Sequence, residues 1–351
     1  MCQNAGVTLK PARPPCGMLA FKNAIGSEKS QEKTYREQAE FRERGLLVAG
    51  EVLVDKPGLV KHFRIANKEV NMERITLNNG VNMPILGFGT YQIKEPAECI
   101  RCVSAALRAG YRLIDTAQAY GNEEAVGAGI RASGVPREEI FVTTKLWFRA
   151  YESGVARAAM QESFNKLGVD HLDMVLLHWP FGNTYAAWRE LEKLHKEGRI
   201  RAIGVSNYAP SQLIDLMEFN EIKPAVNQIE THLLAQQQEL HALMAERGVA
   251  HQAYAPFAQG RGERMFEAPA VTTAARAHGK TAHQVALRFL IQQGIAAIPK
   301  SAGEERIREN FDIFDFALTD GEMEALRAMD TNRPFIGNSQ DAETAAFAMT
   351  W

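Results

Sequence analysis

The chain has 351 residues, 46% hydrophobic and 23% charged, with a formal net charge of −2, enough material for one large domain or two ordinary ones. Lys and Arg are spread along the whole length, so neither nucleic acid nor a membrane surface is an expected partner. Four cysteines are too few for a disulfide-built fold, and no apolar run reaches the roughly 20 residues that cross a bilayer or forms a secretory leader; a cytoplasmic protein is expected.

In chain order, residues 1–71 come first, with early proline clusters, a charged stretch over 27–44 and no strand–helix repeat. A polar helix over 27–45 would have little apolar face to bury. The segment reads as a disordered or non-native extension. Lys68-Glu69-Val70 can be encoded as AAG-GAG-GTN, a ribosome-binding sequence just ahead of Met72, which makes Met72 the expected natural start.

Residues 72–351 read as the barrel domain. Asn78-Asn79-Gly80, flanked by Ile75-Thr76-Leu77 and Val81-Asn82-Met83, predicts an N-terminal β-hairpin with a tight primed turn. Eight strands follow, over 85–89, 112–115, 140–145, 174–178, 202–206, 225–229, 251–254 and 296–299, with amphipathic helices between them, such as 155–167 and 185–197. Eight parallel strands close naturally into an α/β fold of the (β/α)8 type, a TIM barrel. A doubly wound open sheet is the alternative, but it ordinarily carries a glycine fingerprint after its first strand. Gly127-Ala128-Gly129 fits a loose version of that fingerprint yet falls inside a helical stretch. Gly279-Lys280-Thr281 resembles the end of a phosphate loop, but Ala274 stands where its first glycine belongs. Cys99 and Cys102 have redox-motif spacing without a second pair, so a packing role is expected and no metal site. The tail over 332–351 reads as irregular, carrying Phe335, Phe347 and Trp351.

In such a barrel, chemistry belongs at the carboxyl ends of the strands. Those positions hold Asp115, Lys145 and His178, with Tyr120 in the loop just past Asp115. Hydride addition to a carbonyl leaves charge on oxygen that a proton donor must meet. A phenol is a sluggish donor near neutral pH, and a neighbouring ammonium should lower its pKa. Asp115 would hold Lys145, and His178 would orient and polarise the carbonyl. Tyr91, Trp147 and Trp179, just past strand ends, are candidate substrate walls together with His178.

The segments LIDTAQAYGNE (113–123), VTTKLW (142–147), LLHWP (176–180), GVSNY (204–208), VNQIE (226–230), IPKS (298–301) and RIREN (306–310) resemble the aldo-keto reductase superfamily. The resemblance spans essentially all of 72–351 and is nearest the 2,5-diketo-gluconate and methylglyoxal reductase branch. It implies NADPH/NADP+ as cofactor, a small-molecule carbonyl substrate and a monomer. It implies Tyr120 as proton donor, Lys145 and Asp115 as its support, and His178 as substrate-orienting. It also implies a cofactor site. Thr90, Tyr91 and Asp115 belong to that site, and Ser206, Asn207 and Gln228 meet the nicotinamide carboxamide. Tyr254 stacks on its ring, and Ala255, Pro256, Phe257 and Ala258 run along the pyrophosphate. Lys300, Ser301 and Arg306 grip the 2′-phosphate, and Glu309 and Asn310 meet the adenine. The C-terminal tail acts as an active-site loop. Ala255 stands where the family commonly has Ser, and Leu233 follows His232 where Pro is common. A non-catalytic NADPH-sensing module, or alcohol oxidation by the same residues, are the alternative functions.

Overall fold

The computed structural model describes residues 72–152 and 154–350; the expectations for residues 1–71 and Trp351 lie outside them. The hairpin comes first, β1 (Arg74–Thr76) against β2 (Asn82–Pro84), with Ile75 opposite Met83. Its turn is not the primed one expected. Only Gly80 has a positive φ, +83°, and Leu77 N–H donates to Val81 O while Gly80 N–H donates to Leu77 O, both at 2.9 Å. That is a three-residue loop, in which a type I turn is closed by one left-handed glycine. The asparagines act across space instead. Asn78 Nδ2 donates to Pro224 O at 2.9 Å and Asn79 Nδ2 to Arg201 O at 3.0 Å, tying the hairpin to the amino-terminal ends of two barrel strands.

Eight strands then pair in parallel and in chain order: β3 (Phe88–Gly89), β4 (Leu113–Asp115), β5 (Phe141–Leu146), β6 (Leu172–Leu177), β7 (Ile200–Ser206), β8 (Val226–Glu230), β9 (Ala250–Tyr254) and β10 (Ala296–Ala297). A parallel bridge between Leu86 and Ala297 closes the ring, with Gly87 N–H to Ala297 O and Ala297 N–H to Ile85 O at 2.8 Å each. This is a (β/α)8 barrel. At the closing strand a side chain would collide: a Cβ on Gly87 would sit 2.2 Å from Leu113 Cδ2, and one on Gly89 2.9 Å from Ile298 O. All six residues of β5 and all six of β6 are buried, as expected of parallel strands covered on both faces.

The helices are α1 (Pro96–Ala109), α2 (Glu123–Ser133), α3 (Val155–Leu167), α4 (Thr184–Lys196), α5 (Pro210–Glu218), α6 (Gln238–Arg247), α7 (Glu263–Glu267), α8 (Pro269–His278), α9 (Ala282–Ile291), α10 (Glu304–Phe311), α11 (Asp320–Arg327) and α12 (Ala342–Ala348). Local chemistry sets their ends. Pro96 opens α1, and left-handed Gly110 (φ +117°) closes it. Thr281 and Gln284 form a reciprocal capping box on α9. The Gly127/Gly129 pattern finds its cause inside α2. A Cβ on Gly127 would lie 2.2 Å from Leu167 O, and one on Gly129 2.8 Å from Val103 Cβ, so both glycines permit close helix packing. Cys99 and Cys102 are free and buried one turn apart in α1, and burial pushes the Cys99 thiol up to about 12. The tail is less irregular than expected. The Ala-rich run 342–348 forms α12 behind Asp341, a favoured residue type at a helix start.

Candidate active site

A cleft of about 960 Å³ opens at the carboxyl ends of the strands and is lined by Asp115, Tyr120 and His178, with Lys145 buried against Asp115 and Tyr120 outside the lining. Asp115 closes β4, Lys145 lies one residue before the end of β5, and His178 directly follows β6. Tyr120 ends the short 3-10 turn Gln118–Tyr120, which Gln118 pins: its Nε2 donates to Ser163 Oγ at 2.9 Å, and its Oε1 accepts from Trp147 N–H at 3.0 Å.

Lys145 is fully buried. Its Nζ donates to Asp115 Oδ1 at 2.5 Å, to Thr116 O at 2.9 Å and to the Tyr120 hydroxyl at 3.2 Å. Three acceptors match the three N–H bonds of an ammonium. Because Lys145 donates to the phenol oxygen, the phenol's own proton is left for an acceptor in the cleft. Burial pulls the lysine's pKa down, and the Asp115 carboxylate opposes that.

The phenol does not follow the expected direction. Burial, chiefly, and then the Asp115 carboxylate hold Tyr120 well above the usual tyrosine value. Asp115 lies so close to Lys145 that the pair presents little net charge, and desolvation of the phenolate outweighs it. Tyr120 therefore stays protonated and gives up its proton only to a stronger base. His178 is held neutral: burial, then the Lys145 charge, take it well below the usual imidazole range. Its ring meets Tyr120 edge-on at 5.7 Å and Trp147 at 5.1 Å between centroids. Among the described residues, buried His178 Nδ1 has no hydrogen-bond partner.

A second network lies beside this group. Gln228 Nε2 donates to Asp115 Oδ2 at 2.8 Å and to Gln252 Oε1 at 2.7 Å, which uses both amide protons and leaves Oε1 as an acceptor. Ser206 Oγ donates to Gln228 O at 2.8 Å. Asn207, left-handed at φ +64°, donates to His178 O at 3.0 Å and accepts from Tyr254 OH at 2.8 Å. Asn is among the few residues that adopt this backbone at modest cost. Beyond Tyr254 the chain is strained: Ala255, Ala258 and Gln259 all have positive φ, between 49° and 53°.

Of the expected cofactor residues, Tyr91, Asp115, Ser206, Asn207, Gln228, Tyr254, Ala255, Pro256, Phe257, Lys300 and Arg306 line the cleft, as do the expected substrate residues Trp147, His178 and Trp179. Thr90, Ala258, Ser301, Glu309 and Asn310 do not. The Thr90 hydroxyl is spent on Asp115 O at 2.9 Å, and Ala258 and Asn310 are buried. Ser301 Oγ accepts from Gly303 N–H at 3.2 Å at the start of α10, and Glu309 Oε1 accepts from Thr281 Oγ1 at 2.6 Å. The cleft also contains residues that no motif marked: Arg261, Phe266, His283 and Ile336. His283 stacks on Phe266 at 4.2 Å near Lys300 and Arg306. Its only sequence signal is a histidine in the first turn of α9.

No helix among the described residues is long and apolar enough to cross a membrane, and the described residues hold no cluster of three or more potential metal ligands. The family model for the aldo/keto reductase family matches residues 85–331. The chain is 43% identical over 258 residues to glyoxal reductase of Bacillus subtilis, covering 73% of this chain and 92% of that one. It is 42% identical over 287 residues to morphine 6-dehydrogenase of Pseudomonas putida, covering 78% and 97%. A crystal structure of a Bombyx mori aldo-keto reductase in complex with NADP superposes with a TM-score of 0.72 at 35% identity, covering 78% of this chain and 96% of that one. The chain belongs to the aldo/keto reductase family and is, by that membership, a carbonyl-reducing oxidoreductase.

Proposed function

We propose that the protein reduces aldehydes or ketones to alcohols with NADPH, and that Tyr120 protonates the carbonyl oxygen. One observation carries this reading: the Lys145 ammonium, tied to Asp115, donates to the Tyr120 oxygen at the wall of a large cleft. The cofactor, when bound, supplies the hydride. The chain's residues supply the rest. Tyr120 holds its proton until the carbonyl oxygen gains alkoxide character, which makes it a stronger base than a phenolate. Lys145 meets the charge then left on Tyr120, and buried Asp115 keeps Lys145 in place. His178, neutral and lining the cleft, is available to hydrogen-bond the same oxygen.

The cleft fits a dinucleotide. Gln228 Oε1 offers an acceptor to a carboxamide, and Tyr254 offers a flat face. Lys300 and Arg306, both exposed, make no salt bridge among the described residues, which suits them to a 2′-phosphate and favours NADPH over NADH. The Bombyx mori relative bound to NADP supports the same cofactor. The glyoxal reductase and morphine 6-dehydrogenase relatives point to small dicarbonyls and bulky ketones as substrate classes, and the second also names the reverse direction, which uses the same atoms. The test is NADPH absorbance with purified protein against methylglyoxal, keto-sugars, aromatic aldehydes and aldoses. Carbonyl-dependent loss of absorbance is expected; no loss with any carbonyl refutes the reading.

A further inference from the structure

The C-terminal segment supplies Ile336, Phe347 and Ala348 to the cleft wall, yet from residue 330 to α12 it contains no helix or strand, so something outside must fix its position. The fixing group belongs to the barrel. Glu230, the last residue of β8, is 2% exposed. Its carboxylate oxygens accept separately from the segment's backbone, Oε1 from Phe335 N–H at 2.7 Å and Oε2 from Ile336 N–H at 2.8 Å. His232 Nε2 also reaches Oε1 at 3.1 Å. Since His232 Nδ1 accepts from Leu234 N–H at 3.2 Å, the ring proton is on Nε2, and the histidine donates to the carboxylate. The same ring stacks on Phe335, with centroids 5.4 Å apart and planes at 27°.

A buried carboxylate is costly unless donors meet it, and two of these three donors are amides of the segment it holds. Among the described residues the segment's other ties include Thr331 to Leu234 O, Arg261 to Phe335 O, Ser339 Oγ to Gln212 Oε1 at 3.2 Å, and Arg149 to Met349 O at 2.6 Å. Arg261 holds one carbonyl of the stretch that bears Ile336, whereas Glu230 grips it by two backbone amides in succession. Resting on the reading of the cleft as a carbonyl site, we propose that Glu230 is a positioning residue for substrate choice. By clamping residues 335 and 336 it sets how far the C-terminal wall stands from Trp147 and His178, and so how large a carbonyl is held productively.

The test compares the full-length wild type with Glu230→Gln and Glu230→Ala. A glutamine keeps the shape but offers one acceptor oxygen, and its NH2 then faces a backbone N–H, so Glu230→Gln breaks the double grip even if the alanine variant folds poorly. Hydrogen–deuterium exchange at the amides of Phe335 and Ile336 should speed up about tenfold or more, since hydrogen bonds to a charged acceptor are lost, while β5 amides stay protected. For a bulky aromatic ketone, kcat/KM should fall about tenfold through KM, with kcat within about twofold, while kcat/KM for methylglyoxal stays within about twofold. Unchanged exchange at 335 and 336 overturns the clamp. Equal losses for both carbonyls overturn the link to substrate choice. If the wild type turns over neither carbonyl, the functional reading fails by that result alone, and exchange still decides the clamp.

Discussion

At one end of the cleft, Asp115, Lys145 and Gln228 come from strands β4, β5 and β8, are buried, and are joined through hydrogen bonds to the Asp115 carboxylate. At the other end, Lys300 and Arg306 stand exposed, one just past β10 and the other in α10, without salt bridges among the described residues. The proposed reacting end is held by the same strands that make the barrel, so its chemistry and the protein's stability should be coupled. The far end is electrostatic and rests on side chains that folding does not require. Damage to the first should cost both turnover and stability. Damage to the second should cost affinity alone.

The largest effect should come from Lys145→Met. It leaves Asp115 buried without its cation, a change of about 3–5 kcal/mol in stability for a pair of this kind, and it removes the donor that meets the Tyr120 oxygen. Denaturant unfolding should show a loss of that size, with turnover reduced about 10³-fold. Unchanged stability would mean that the two functions of the strand ends are separable after all.

Arg306→Ala and Lys300→Ala should each weaken NADPH binding about tenfold through the lost charge-assisted contact, with NADH binding and thermal stability unchanged. Fluorescence titration of both cofactors checks this. Equal weakening for NADPH and NADH would place these cations somewhere other than the 2′-phosphate.

A pH series sharpens the same contrast. His178 is held neutral by burial and by Lys145, and burial and then His241 bring His251 down to about 3. In the unfolded chain, both imidazoles take up protons below about 6.5. The unfolded state then binds more protons than the folded one, so stability present above pH 6.5 is lost as pH falls toward 3. Tm should drop steadily from pH 6.5 to 4.5; a flat Tm there contradicts the burial argument. Gly127→Ala lies outside this contrast: it should cost about 1–3 kcal/mol by overpacking against the Leu167 backbone and leave cofactor binding untouched.

Much of the fold was legible because the strands are short apolar runs separated by helices of regular period, and all eight expected strands overlap observed ones. Asp115, Lys145 and His178 were legible for a related reason, since an ionisable residue at the end of an apolar strand stands out. The misses have physical causes. The hairpin turn looked primed from Asn-Gly, but the asparagines bond to the barrel instead. The direction of the Tyr120 shift depends on burial and on the tight Asp115–Lys145 pair, which residue types alone do not convey. Arg261, His283 and Ile336 reach the cleft through loop and helix geometry, and the Glu230 clamp joins residues 105 and 106 positions apart, beyond any local pattern.

The most direct test pairs two measurements on Tyr120→Phe, NADPH affinity by fluorescence titration and carbonyl-dependent NADPH oxidation in a single turnover. With the phenol as the proton source, the variant should bind NADPH within about twofold of wild type and turn over at least about 10²-fold more slowly. Turnover retained near the wild-type rate, with the cofactor bound normally, would mean that the proton comes from elsewhere.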